Sequence, residues 1–152
     1  MNAFDPLSLI FWQTIGCSVL CGGIVGAERQ LRGKPAGVRT SILVCLGTAV
    51  FLHLGGTVVS AAADPSRVLG QLVTGVGFLG AGVMLSREGV VTGVTTAAVI
   101  WMLAAVGAAI GLGYFAGAVA LAGTTVLILV GIEFIESRLA RFSRGVHRRS
   151  EP

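Results

Sequence analysis

Within twelve residues, Glu28, Arg29, Arg32, Lys34 and Arg39 set one acid among four bases, between two long uncharged apolar runs. An ionisable group at the end of such a run is a functional candidate by default, for gating or ion handling. The structural alternative is that Glu28 pairs with Arg29, Arg32 or Arg39 at headgroup level. Both roles are compatible, since one buried pair could fix the loop to a bundle and also gate it. Arg39 is the partner of greater interest, because Ala36-Gly37-Val38-Arg39-Thr40 lies at the mouth of the second apolar run. Further along, Gln71 and Thr74 sit in a glycine-rich run with Gly75, Gly77 and Gly80. In lipid, such an amide and hydroxyl seek hydrogen bonds between helices. Thr92, Thr95 and Thr96 flank Gly93 at a helix start, where capping is favoured over lining a polar cavity. His53 stands alone in the second run and reads as a packed, hydrogen-bonded residue ahead of a ligand.

No Asp or Glu falls in the middle of any apolar run, so a carboxylate-built magnesium-type site is missing there. Cation passage would depend on backbone carbonyls, Thr and Gln, with Glu28 and Asp64 at the mouths as weak metal candidates. Paired acids, Ser-His pairs and metal-ligand clusters are lacking, so neither an enzyme nor a cofactor is expected. Gly75-Val76-Gly77-Phe78-Leu79-Gly80 matches GxGxxG, but the flanks are membrane-length apolar sequence and Val94 to Ala98 stand where the ribose-binding acid should be. Cys17, Cys21 and Cys45 lie inside apolar runs with no CxxC pair, which points to neither a disulfide framework nor a zinc site.

These residues must be positioned by elements that live in lipid. Of 152 residues, 54% are hydrophobic and only 12% charged, and the mean hydropathy is +0.88. Apolar runs of membrane length recur from end to end, which excludes a cleaved signal peptide ahead of a soluble body. We expect an all-α membrane protein, a compact bundle of five transmembrane helices over about 7–27, 42–63, 69–85, 95–112 and 114–134. Thr40 or Ser41 is the expected cap of the second, and Asp64-Pro65-Ser66 the turn after it. Val90 to Gly93 reads as a short segment near the interface. The third span is short and glycine-rich enough to be bent, broken or tilted. Residues 1–137 form the transmembrane domain and 138–152 a basic tail.

All Lys and Arg except Arg67 fall at one edge of this alternation, which puts the N-terminus outside and the C-terminus in the cytoplasm. The same placement explains the net charge of +4 without nucleic acid as a partner. Glycine, at 23 residues, suits close helix approach, and Gly22/Gly26, Gly107/Gly111 and Gly113/Gly117 each repeat the GxxxG spacing.

The sequence resembles the MgtC/SapB family of multi-pass bacterial inner-membrane proteins. The resemblance is carried by Gly26-Ala27-Glu28-Arg29-Gln30, Ala36 to Thr40, Gln71 to Gly82, and Gly93-Val94-Thr95-Thr96-Ala97-Ala98 with Trp101 following. It covers the first four spans and implies a role in magnesium homeostasis, with Mg2+ as ligand or transported ion. Members are described as magnesium transporters, whereas the virulence members resemble regulators that help bacteria survive in host cells and at low magnesium. Those regulators act on partners such as the ATP synthase or magnesium transporters. They also carry a cytoplasmic ACT-type domain after the fifth span, where this sequence has its basic tail. Relatives can carry Asn where Thr95 stands here. The leading reading is a regulator or accessory of membrane partners. A direct Mg2+ transporter or channel, and a bundle that forms homo-oligomers through glycine faces, are the alternatives.

Overall fold

A computed structural model describes residues 5–58, 65–87 and 90–146. Five helices, α1 (Leu9–Leu31), α2 (Val38–Val58), α3 (Pro65–Gly82), α4 (Val94–Gly111) and α5 (Phe115–Val146), run in chain order, with β1 (Leu85–Arg87) and β2 (Val90–Thr92) between α3 and α4. The expected five-helix all-α architecture is borne out. Four of the helices, all but α3, are long and apolar enough to cross a membrane. Asp64 lies outside the described residues.

Local chemistry sets the helix ends. Ser8 Oγ accepts from the Phe11 N–H at 3.2 Å to cap α1, and the Trp12 indole donates to Pro6 O at 2.9 Å. At the other end Gly33 takes φ +63° and the chain turns out of the helix. The expected cap of α2 at Thr40 or Ser41 is corrected. The helix starts at Val38, whose N–H donates to Gln30 Oε1 at 3.4 Å, while Ser41 Oγ donates to Ala36 O at 3.1 Å. Ala36 itself holds φ +61°.

Helix α2 is the central post. A Cβ on Gly22 would stand 2.7 Å from Ile42 Cα, and one on Gly26 would stand 2.6 Å from Val38 Cα, so α1 lies backbone to backbone on α2. On the opposite flank, a Cβ on Gly107 would meet Cys45 O at 2.3 Å and one on Gly111 would meet Ala49 O at 3.0 Å. Two of the three GxxxG pairs are therefore helix contacts. The third is not: Gly113 forms a turn at φ +83° with open space around it, and α5 begins only at Phe115. Between these contacts lies an apolar core that includes Cys21, Val25, Cys45, Leu103, Val106 and Ile110. At the far end Thr14 Oγ1 and His53 Nε2 are 3.3 Å apart, which makes His53 the hydrogen-bonded residue expected of it.

Helix α3 is continuous over its 18 residues and stands partly off the bundle. Its Val76 packs on Ile100 and Ala104 of α4, and Gly80 approaches Ala97, but Phe78 is 80% exposed. In lipid such a face costs little, because the acyl chains are as apolar as a core.

The short segment expected at Val90 to Gly93 forms one strand of a hairpin, in which β1 and β2 pair antiparallel with Leu85 opposite Thr92. Gly93 then turns the chain into α4 at φ +86°, and a Cβ there would lie 2.1 Å from Val83 O. Gly93→Ala is expected to cost at least about 1–2 kcal/mol from the left-handed backbone alone, and the contact with Val83 O, which is backbone, adds to it. Loss of amide-exchange protection across β1 and β2, with the α1–α2 contact still protected, is the result that checks it.

Candidate functional site

One end of the bundle holds a cavity of about 810 Å3 where the end of α1, the start of α4 and the middle of α5 meet the hairpin. Val83, just past the C-terminal end of α3, lines it as well. The loop after α1, the hairpin and the Glu133 to Glu136 turn of α5 are thus at the same end of the molecule. Glu28, Arg29 and Arg32 come from the end of α1, Thr95 and Thr96 from the start of α4, and Glu133 and Glu136 from α5.

Two charges lie deep in this wall. Arg29 is 4% exposed, and its Nη2 donates to Thr96 Oγ1 at 2.9 Å. That bond joins residues 67 positions apart and fixes α1 to α4. The Glu28 side chain is 8% exposed, and its Oε1 lies 2.8 Å from Arg32 Nε. Arg32 also forms an ion pair with Glu133, whose side chain is 52% exposed. One guanidinium, at i+4 on its own helix, therefore serves two acids from α1 and α5. Two buried polar atoms in the wall, Glu28 Oε2 and Arg29 Nε, have no hydrogen-bond partner among the described residues.

Of the sequence candidates, Glu28, Arg29, Thr95 and Thr96 gather here, and Arg39, Thr40, Gln71, Thr74, Gly75, Gly77 and Gly80 do not. Arg39 is exposed and takes no part in the Glu28 ion pairs among the described residues. The reason is helical phase: Ser41 faces α1, and a residue two positions away points about 200° round the helix. Thr40, Gln71 and Gly75 instead line a separate, mostly apolar groove of about 640 Å3 between α2 and α3. That groove opens because these helices touch closely at one end, where a Cβ on Gly55 would lie 2.6 Å from Val68 Cγ1.

Thr74 Oγ1 donates to Gly70 O of its own helix at 3.0 Å, not across a helix interface. No hydrogen bond of Gln71 is formed among the described residues. Gly77 meets nothing within 4 Å, and Gly80 serves the α3–α4 contact. The threonines do not cap α4, since the N-cap is Gly93 with no side-chain hydrogen bond. Thr96 is committed to Arg29, and Thr92 Oγ1 donates to Leu85 O across the hairpin at 3.4 Å.

Sequence reasoning missed Glu133 and Glu136 as members of the cavity, whereas Lys34 belongs to the charge cluster that begins at Glu28. Glu133 and Glu136, three apart near the end of an otherwise uncharged span, were the available signal. Among the described residues no group of three or more His, Cys, Asp or Glu is placed to hold a metal ion.

The profile of the MgtC family matches residues 15–138, which takes in both deep charges, the hairpin, all of α2, α3 and α4 and most of α1 and α5. The chain is 45% identical to protein MgtC of Salmonella typhimurium strain LT2 over 113 residues, 74% of this chain and 46% of that protein. It is 46% identical to YhiD of Escherichia coli K12, whose name proposes a magnesium transporter, over 110 residues, 68% of this chain and 51% of that protein. A Haemophilus influenzae protein with no function in its name is 36% identical over 157 residues, 97% of this chain and 63% of that protein. The chain thus spans roughly half to under two thirds of these relatives. No solved structure matches it. With apolar helices of membrane length and a family match over most of its residues, this multi-pass bacterial membrane protein belongs to the MgtC family.

Proposed function

We propose that the protein serves magnesium homeostasis and low-magnesium adaptation in the bacterial inner membrane, as a regulator or accessory of membrane partners and not as the conduit for the ion. Its N-terminus lies outside and its charged cavity faces the cytoplasm, in keeping with the basic residues gathered at that end. Partners such as the ATP synthase or a magnesium transporter dock at that end. The name of the relative YhiD, which proposes a magnesium transporter, supports the link to magnesium.

One observation carries the choice of regulator: the charged cavity stops on an apolar core. Along α4 the turns beyond Thr96 present Ile100, Leu103, Val106 and Ile110, all buried. Along α1 the turns beyond Arg29 present Val25 and Cys21, equally buried. A hydrated divalent ion gives up its waters reluctantly and needs oxygen ligands along its whole path. The buried Glu28 Oε2 favours transport as a second reading, since it leaves a carboxylate oxygen at the cavity wall without a partner among the described residues.

Magnesium entry into liposomes, read by an internal indicator dye with Glu28→Gln beside the wild type, separates the two. The regulator reading expects entry equal to protein-free liposomes for both proteins, and loss of a co-purifying membrane partner in Glu28→Gln. Entry through the wild type that Glu28→Gln removes would overturn it.

A further inference from the structure

We propose that the cavity beside the hairpin binds a phosphate-class oxyanion, with Arg29 and the N-terminus of α4 as its inner wall. The anion is carried either by an anionic phospholipid headgroup or by free phosphate. This inference stands apart from the choice between regulator and transporter, because it rests on the electrostatics of Arg29 and not on ion passage.

A guanidinium cannot shed its proton in a protein, so Arg29 remains a cation at 4% exposure. Its hydrogen-bond partner, Thr96 Oγ1, is neutral, and its Nε is sealed with no acceptor among the described residues. A buried cation without a counter-charge is strongly unfavourable. Of the acids that line the cavity, Glu28 and Glu133 both hold Arg32, and Glu136 is exposed to solvent. The surplus negative charge of that trio rests on half-exposed Glu133, where water and salt screen it.

The second observation is independent and comes from another helix. Gly93, the N-cap of α4, brings no side-chain acceptor, and the first backbone bond of the helix runs from Ala97 N to Gly93 O. The N–H groups of Val94, Thr95 and Thr96 therefore lack helical acceptors, at the positive end of an 18-residue dipole. Amides of this kind beside an arginine bind phosphate. The exposed Thr95 hydroxyl and Lys34 complete the donors at the rim.

Two further features rank the headgroup ahead of free phosphate. Ile128, Leu129 and Ile132 of α5 give the same cavity an apolar side, suited to the glycerol and first methylenes of a lipid. The Glu28 carboxylate in the wall repels a phosphate dianion more than the single charge of a phosphodiester.

The test uses the full chain, purified and delipidated in detergent, with phosphatidylglycerol, inorganic phosphate or diacylglycerol of the same chains added. Retained ligand is read by native mass spectrometry and stabilisation by thermal unfolding. Phosphatidylglycerol is expected to bind and stabilise, with affinity at least about tenfold weaker in Arg29→Gln, the usual weight of a charge-assisted hydrogen bond. Lys34→Gln and Thr95→Val, both at exposed positions, keep the test decisive if Arg29→Gln does not fold, and each is expected to weaken binding by a smaller factor. Stabilisation by phosphatidylglycerol alone identifies a lipid site, and stabilisation by phosphate as well identifies a site for the free anion. Binding by neither, equal binding of diacylglycerol, or binding that none of the three substitutions changes would overturn the proposal.

Discussion

Gly107→Ala is expected to leave little folded protein. The added methyl would lie 2.3 Å from Cys45 O and 2.9 Å from Thr48 Cβ, and the first of these is backbone that no rotamer change can move. Helix α4 would have to separate from α2, and the Gly111 contact one turn on, where the ideal Cβ is already 3.0 Å from Ala49 O, would be pulled apart with it. Overpacking of this kind costs at least about 3 kcal/mol where neither backbone can yield. In a bilayer the loss is not made good by hydrophobic attraction, because the separated helices are solvated equally well by lipid. Gly77→Ala provides the control, since nothing lies within 4 Å of its Cβ position. Size-exclusion profile and thermal unfolding in one detergent should show the first protein aggregated or strongly destabilised and the second like wild type. A wild-type profile for Gly107→Ala would refute the backbone contact between α2 and α4. A changed oligomeric state in Gly77→Ala would instead reveal a second copy on the α3 face.

A second large effect is expected from Thr96→Val, which keeps the shape of the side chain and removes the hydroxyl that accepts from Arg29. Arg29 Nε already lacks an acceptor, so the substitution would leave a buried guanidinium without a partner among the described residues. The cost should be about 2–3 kcal/mol, the weight of a hydrogen bond to a charged group together with the donor left unsatisfied. Thr96→Ser should recover most of it. Thr95→Val, next in sequence but exposed, should stay within about 0.5 kcal/mol. Unfolding of the delipidated protein, followed by tryptophan fluorescence, measures all three. A double-mutant cycle with Arg29→Met then isolates the pair, because in that background Thr96→Val should cost little. Equal costs in both backgrounds would mean that Thr96 matters through packing and not through Arg29.

Several features of the molecule were legible in the order of residues alone. Uncharged runs of membrane length specify helices wherever backbone groups cannot find water, so the five-helix architecture needed no tertiary information. The spacing of Gly22 with Gly26 and of Gly107 with Gly111 marked surfaces of close approach, and both became backbone contacts on α2. The crowding of charge around Glu28 and Arg29 marked the right end of the bundle.

What each residue faces was decided only by the tertiary structure. Gly113 and Gly117 have the same spacing as the other pairs, yet Gly113 became a turn. Arg39 looked like the natural partner of Glu28, but Arg32 took that place and shared it with Glu133 from more than a hundred residues away. Thr96 looked like part of a cap and became the acceptor that holds a buried arginine.

The physical reason is common to all three. In a soluble protein the contrast between an apolar and a polar face sets the rotation of a helix about its axis. In lipid, core and surroundings are both apolar, so a run such as Val94 to Gly111 carries its length in its composition but hardly any record of which side turns inward. That rotation is settled by where backbones fit against one another, and with it which polar groups meet. The sequence alone therefore determined the elements and the end of the bundle where the charges gather, while packing decided the pairs those charges form.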